Sequence, residues 1–192
     1  MARFTVLACV CILVTLAAGC GSSPPSRFYT LSAATGPAAM RSELSIAVGP
    51  VSVPAVVDRP QIVVSTGPNQ VRLDEFNRWA APLQNNISRV VAENLVAMLG
   101  TPRVTLLSAD VDYRAVIEVQ SFESAPGEAA LLDAVWTVRR AKDGKTETGR
   151  TTARETVADK GYDALAAAHS RALARLSRDI ADAVRTLNSS VP

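Results

Sequence analysis

A mostly apolar, uncharged run from Phe4 to Ala18 follows Arg3 and ends in Leu16-Ala17-Ala18-Gly19-Cys20. A basic start, a short apolar stretch and small residues before a cut are the layout of an export signal. The run is short for a bilayer-spanning helix, which needs about 20 apolar residues. Removal of the segment sets the main constraint on folding. The chain folds outside the cytoplasm, where disulfides form readily. Yet Cys9 and Cys11 leave with the signal, and Cys20 is the only cysteine kept. With no second thiol in the chain, the remaining residues rely on an apolar core.

The cysteine directly after the small residues resembles a bacterial lipobox. Ala17, three places before it, departs from the commoner leucine, which sits one place earlier as Leu16. The expected product is a mature chain beginning at Cys20 and carrying lipid there. An ordinary secretory signal that leaves Cys20 a free thiol, and an uncleaved anchor, are the competing readings. One acyl chain binds a membrane only marginally, contributing about 0.8 kcal/mol per buried CH₂. A lipoprotein cysteine with more than one chain is anchored stably. Gly21 stands where some organisms use aspartate to retain lipoproteins at the inner membrane. The expected location is the periplasmic face of the envelope, at the outer membrane.

About 170 residues follow the signal, enough for one domain with a real core. The chain is 48% apolar and 20% charged, which fits a globule rather than a disordered chain. The formal net charge of +2 is spread over interspersed acids and bases. No basic stripe with interleaved aromatics appears, which argues against nucleic acid as a partner.

The expected organisation is a signal over 1–19, a lipidated cysteine and tether over 20–43, and a domain over 44–188. Gly21 to Ser26 reads as a flexible-to-extended linker. Phe28-Tyr29-Thr30-Leu31 is apolar enough to dock on the domain, and Ser32 to Glu43 reads as loop. Alternation from Leu44 to Val53 predicts a strand, with Pro50 and Pro54 giving it an irregular end. Gln61–Ser65 and Gln70–Leu73 flank a turn at Thr66-Gly67-Pro68-Asn69.

A helix is predicted from Pro82, with Leu83, Ile87, Val90, Val91, Leu95 and Leu99 at helical spacing and a stop at Gly100. Short strands follow at Arg103–Leu107 and Tyr113–Gln120, with a further apolar face over Leu132–Val138. Asp143-Gly144 predicts a hairpin turn into Thr146–Val157, a polar strand suited to an edge. A long amphipathic helix opened by Gly161-Tyr162-Asp163 closes the chain. Its apolar stripe is expected to pack in the core; contact with another subunit is the other option. The fold class is α/β, α+β-like: a single domain with a mixed, largely antiparallel sheet packed with two main helices.

Catalytic constellations are missing from the sequence. His169 is the one histidine and lies on the apolar stripe of the last helix, where a structural role is expected. A zinc site usually needs several His or Cys ligands, and neither a nucleophile elbow nor a phosphate loop is present. The acidic pairs are Asp74-Glu75 and Asp110/Asp112. Adjacent Asp74 and Glu75 point to opposite faces of a strand, and all four read as turn or edge residues. No enzyme activity, cofactor or metal is expected.

Two polar stretches stand out. Asp58-Arg59-Pro60-Gln61 reads as a tight turn before a strand. Asp74 to Leu83 reads as an aromatic-rich turn at the mouth of the first helix. Trp and Arg are enriched at binding hot spots, so Asp58, Arg59, Gln61, Arg78 and Trp79 are the candidate partner-binding residues. The competing reading has Trp79 capping the core and the arginines pairing locally.

These stretches together resemble the ABC-type transport auxiliary lipoprotein family, including its PqiC-type members. The likeness runs in order along nearly the whole mature chain. It takes in Cys20, Phe28-Tyr29-Thr30-Leu31, Val48 to Pro54, Asp58 to Val63, Arg78-Trp79-Ala80-Ala81-Pro82-Leu83, and Gly161 to Leu165. The resemblance implies a non-enzymatic, lipid-anchored subunit. Its implied partners are MCE-domain proteins and ABC-transporter or related inner-membrane subunits, in systems that move phospholipid or other hydrophobic molecules across the envelope. Because MCE proteins form rings, a homo-oligomer is also an expectation. A regulator of cell-wall synthesis or envelope assembly is the competing function.

Overall fold

The computed structural model describes residues 24–36, 39–106 and 108–189. The signal segment and Cys20 lie outside the described residues. The elements run β1 (Arg27–Tyr29), β2 (Ile46–Ser52), β3 (Gln61–Gly67), β4 (Gln70–Trp79), α1 (Leu83–Leu99), β5 (Val104–Thr105), β6 (Tyr113–Ala125), β7 (Ala129–Arg140), β8 (Thr146–Thr156) and α2 (Tyr162–Ser189).

The class is the one expected, with the strands divided between two mixed sheets. One has the order β5-β2-β6-β7-β8 and the other β1-β4-β3. In the first, β2 runs parallel to β5 and β6, while β6, β7 and β8 form an antiparallel meander. Register pairs Ala115 with Val138, Ile117 with Trp136 and Val119 with Ala134, so one apolar face is continuous. A bulge between Val119 and Ser121 puts Phe122 and Ser124 on the buried side farther along the strand.

The polar strand β8 lies at the sheet edge, as its sequence predicts. Its buried positions, Thr151, Ala153 and Glu155, alternate with exposed ones. Gly149 leaves room for the neighbouring Trp136, since a Cβ there would stand 2.2 Å from the indole. That indole donates through Nε1 to Thr151 Oγ1 at 3.1 Å.

Helices α1 and α2 pack on each other and on this sheet. In α1, Pro82 is the N-cap rather than the first helical residue, and Gly100 closes the helix in the left-handed region at φ 65°. A Cβ at Gly100 would meet the Met40 carbonyl oxygen at 2.0 Å, so glycine is required twice over. The α2 stripe of Leu165, Leu173, Leu176, Ile180 and Val184 is wholly inside the domain core.

Phe28–Leu31, expected to dock, does so from within the stretch assigned above to the tether. It supplies β1, which pairs parallel with the end of β4. Tyr29 and Leu31 are buried, whereas Phe28 faces out. The loop beyond is tied to both helices. Asn86 accepts from Thr30 Oγ1 at 3.0 Å, and Asn94 accepts from the Ala34 amide at 2.8 Å. Ser170 on α2 accepts from the Ser32 amide at 3.0 Å.

Candidate functional site

The second polar stretch is strand, not turn. Asp74 to Trp79 continues β4, and the expected aromatic-rich turn is corrected accordingly. The register explains why alternation fails there. Gln61 pairs with Arg78, but the next residue, Ile62, pairs with Asp74, so Glu75, Phe76 and Asn77 bulge out of the ladder. Asp74 organises the bulge. Its Oδ1 accepts from the Phe76 amide at 3.1 Å, the Asn77 amide at 3.0 Å and Asn77 Nδ2 at 2.9 Å.

Asp74 Oδ2 accepts from the Tyr162 hydroxyl at the start of α2 and from Arg72 at 3.3 Å. Tyr29 of β1 donates to Asn77 Oδ1 at 2.8 Å. Burial alone would raise the Asp74 pKa. The hydrogen bonds from Tyr162, Asn77 and the two amides outweigh it and hold the carboxyl at about 2. Tyr162 is pushed up to about 12 by burial and by its bond to Asp74. This network fixes the small sheet against α2.

At the open end of that sheet, the two stretches singled out in the sequence meet. The Trp79 amide donates to the Pro60 carbonyl at 2.7 Å. Gln61 and Arg78 face one another, and Gln61 Nε2 donates to Glu75 at 3.3 Å. Arg78 Nε donates to the Glu75 carbonyl at 2.9 Å. Asp58 is exposed, and Arg59, Gln61 and Arg78 are half-buried.

Trp79 is different. It is 5% exposed and sits edge-on to Phe122 and His169, so its indole belongs to the core at the junction of the two sheets. The Arg59 Nε is buried without a hydrogen-bond partner among the described residues.

His169 is fully buried and stacks on Phe122 with ring centroids 3.8 Å apart. Its Nε2 hydrogen-bonds Ser124 Oγ at 2.8 Å, and burial pushes its pKa down to about 3. The imidazole is therefore neutral and structural. Asp112 accepts from the Ser45 amide and hydroxyl, both at 2.7 Å. Those bonds lower its pKa, and they pin the start of β2 to β6. Asp110 is exposed and contributes nothing to a paired acidic site. Among the described residues, no three His, Cys, Asp or Glu side chains are grouped to hold a metal. No helix among them is long and apolar enough to cross a membrane.

A cleft of about 800 Å³ runs between Phe28–Thr35 and α2. Its floor includes Ala166 and Ala174, and its rim carries Arg171, Arg175 and Arg178. Glu155 receives Arg171 at 3.1 Å and Arg175 at 2.6 Å, so two of the three arginines fasten β8 to α2. The arginine spacing was legible on the polar side of the helix. The opposing wall was not, because it comes from the stretch expected to be loop.

Residues 29–181 match the model of a family described as ABC-type transport auxiliary lipoprotein component. A crystal structure of an uncharacterized protein superposes with a TM-score of 0.71 at 19% identity, covering 84% of this chain and 99% of the other. A Xanthomonas campestris protein of the DUF330 family superposes at 0.69 and 18% identity, covering 85% and 100%. These likenesses show a shared fold. None of the curated proteins matches the chain significantly.

Proposed function

The chain belongs to the ABC-type transport auxiliary lipoprotein family, and on that premise we propose that it docks the periplasmic conduit of a lipid-transport system. Family membership makes it an auxiliary component of a transport system at the cell envelope. The finer reading is ours. The chain is held by lipid on Cys20 at the outer membrane, and it binds an MCE-domain protein or an inner-membrane transporter subunit through the open end of the small sheet. It does so by contact rather than catalysis, alone or as a ring of copies.

The observation that supports docking is the convergence of Asp58, Arg59, Gln61 and Arg78 at one end of a sheet clamped to α2 through Asp74. A rigid, half-exposed polar surface of this kind loses little freedom when a partner binds. Trp79 supports that surface from behind and does not form it.

A crosslinked pull-down of the tagged protein from its native envelope, read by mass spectrometry, tests the proposal. Recovery of MCE-domain or ABC-transporter subunits is the expected result. Recovery of cell-wall synthases in their place would contradict it. Cys20→Ala should release the protein from membranes and abolish acyl labelling.

A further inference from the structure

The cleft between the N-terminal segment and α2 is continuous with the docking end of the small sheet. Phe28, Arg78 and Gln61 stand in one row across that sheet, and Phe28 also lines the cleft. Its ring is 64% exposed, so the core does not use it. Aromatic side chains are enriched where proteins meet.

The cleft is long because the N-terminal segment runs beside α2. The Tyr29 ring lies 5.7 Å from that of Tyr162, and the Ser32 amide reaches Ser170 two turns farther along. Asp163, Ala167, Arg171, Arg175 and Arg178 line the cleft in succession along the helix. At about 1.5 Å per residue, Asp163 and Arg178 stand about 22 Å apart along the axis. An extended chain of about six or seven residues spans that length. The opposite wall offers main chain as well. Ser32 and Ala34 direct their amides to Ser170 and Asn94, whereas the Ala33 and Thr35 amides have no partner among the described residues. Hydroxyls of Ser32, Thr35 and Ser170 line the cleft too, which makes it a poor lining for an acyl chain.

Charge identifies the occupant. Arg171, Arg175 and Arg178 gather at the end away from Phe28, and Glu155 is the lining acid beside them. Glu155 fixes Arg171 and Arg175, yet their side chains stay 51% and 55% exposed. Arg178 has no ion-pair partner among the described residues. The nearby acids Asp179 and Asp182 bond Thr151 and Arg185 instead. One carboxylate against three guanidinium groups leaves two positive charges in excess at this end, on side chains of which two are already held in place.

We propose that the cleft receives an extended, acidic segment of the protein that docks at Asp58–Gln61. The segment passes Phe28 and sets its carboxylates against Arg171, Arg175 and Arg178. The inference rests on the docking reading, and its test separates the two.

A photoreactive residue replaces Ala167 in one protein and Asp58 in another, each as the full chain in its native envelope. The crosslinked peptides are identified by mass spectrometry. The expected result is one transport-system subunit from both positions, with the adduct from 167 on a stretch rich in Asp and Glu. Arg178→Glu should lower the yield at 167 about five-fold or more and leave the yield at 58 unchanged, while Arg178→Lys should keep both.

Adducts from 58 with a silent 167 would overturn the cleft proposal and leave the docking surface standing. So would adducts from 167 to lipid, to a second copy of this chain or to a neutral or basic stretch. A yield at 167 that Arg178→Glu does not lower would overturn it as well. Silence at both positions would overturn the docking surface and the cleft together.

Discussion

In the five-stranded sheet, β6, β7 and β8 pair through long registers and turn one alternating apolar face to the helices. In the three-stranded sheet, β4 is interrupted by a three-residue bulge and β1 contributes only three residues. The first is held mainly by burial of Ile117, Leu132, Val138 and the α2 stripe. The second is held at its critical point by a carboxylate that accepts from a tyrosine, an asparagine and two amides. Burial makes a scaffold and tolerates no exposed function. Directed polar contacts let a sheet keep its outer side chains free for other molecules. On the proposed docking reading, the small sheet is the working part and the large sheet its support.

The comparison breaks most visibly at Trp79, where the two sheets meet. Trp79→Ala removes an indole packed on Phe122 and His169 and should cost about 3–5 kcal/mol in urea unfolding. Partner capture should fall only as far as the folded fraction does. A loss of capture in protein that is still fully folded would return Trp79 to the binding surface.

Asp74→Asn is next, at about 1–3 kcal/mol near neutral pH. Its pH dependence sharpens the point. The folded carboxyl titrates at about 2, below its ordinary value of 3.8. A depressed pKa stabilises fully above the ordinary value, and that contribution is lost as pH falls through the folded one. The stability gap between the wild type and Asp74→Asn should therefore narrow from pH 4 toward pH 2. A gap that stays constant over that range would mean the charge does not hold the bulge.

The smallest effect on stability is expected from Arg59→Ala combined with Arg78→Ala, under about 1 kcal/mol for half-buried surface side chains. Here capture of the transport partner should drop while the melting temperature barely moves. Unchanged capture would exclude this end of the sheet.

How far the sequence carried follows the same division. The strands β6 and β7 and both helices were legible because Tyr113, Ala115, Ile117 and Val119, or Leu165, Leu173, Leu176 and Ile180, repeat at the period of their element. The β8 edge was legible from its threonines and charges. Asp74 to Trp79 was misread because a bulge destroys alternation, and because its stabilising partner, Tyr162, is remote in sequence.

The separation into two sheets was hidden for a related reason: β1 is too short to show a period. Of the candidate site, Asp58, Arg59, Gln61 and Arg78 were read from composition and do come together. Trp79 was grouped with them because hot-spot statistics do not distinguish an exposed indole from a buried one. The cleft beside α2 needed the docked N-terminal segment, whose asparagine and serine ties to the helices leave no local pattern.

The most direct measurement is site-specific photocrosslinking in the native envelope, with the probe placed at Asp58 in one protein and at Thr152 in another. Docking through the small sheet predicts adducts with transport-system subunits from position 58 and none from 152. Adducts from 152 with a silent 58 would assign the contact to the large sheet and contradict the division of labour between the two.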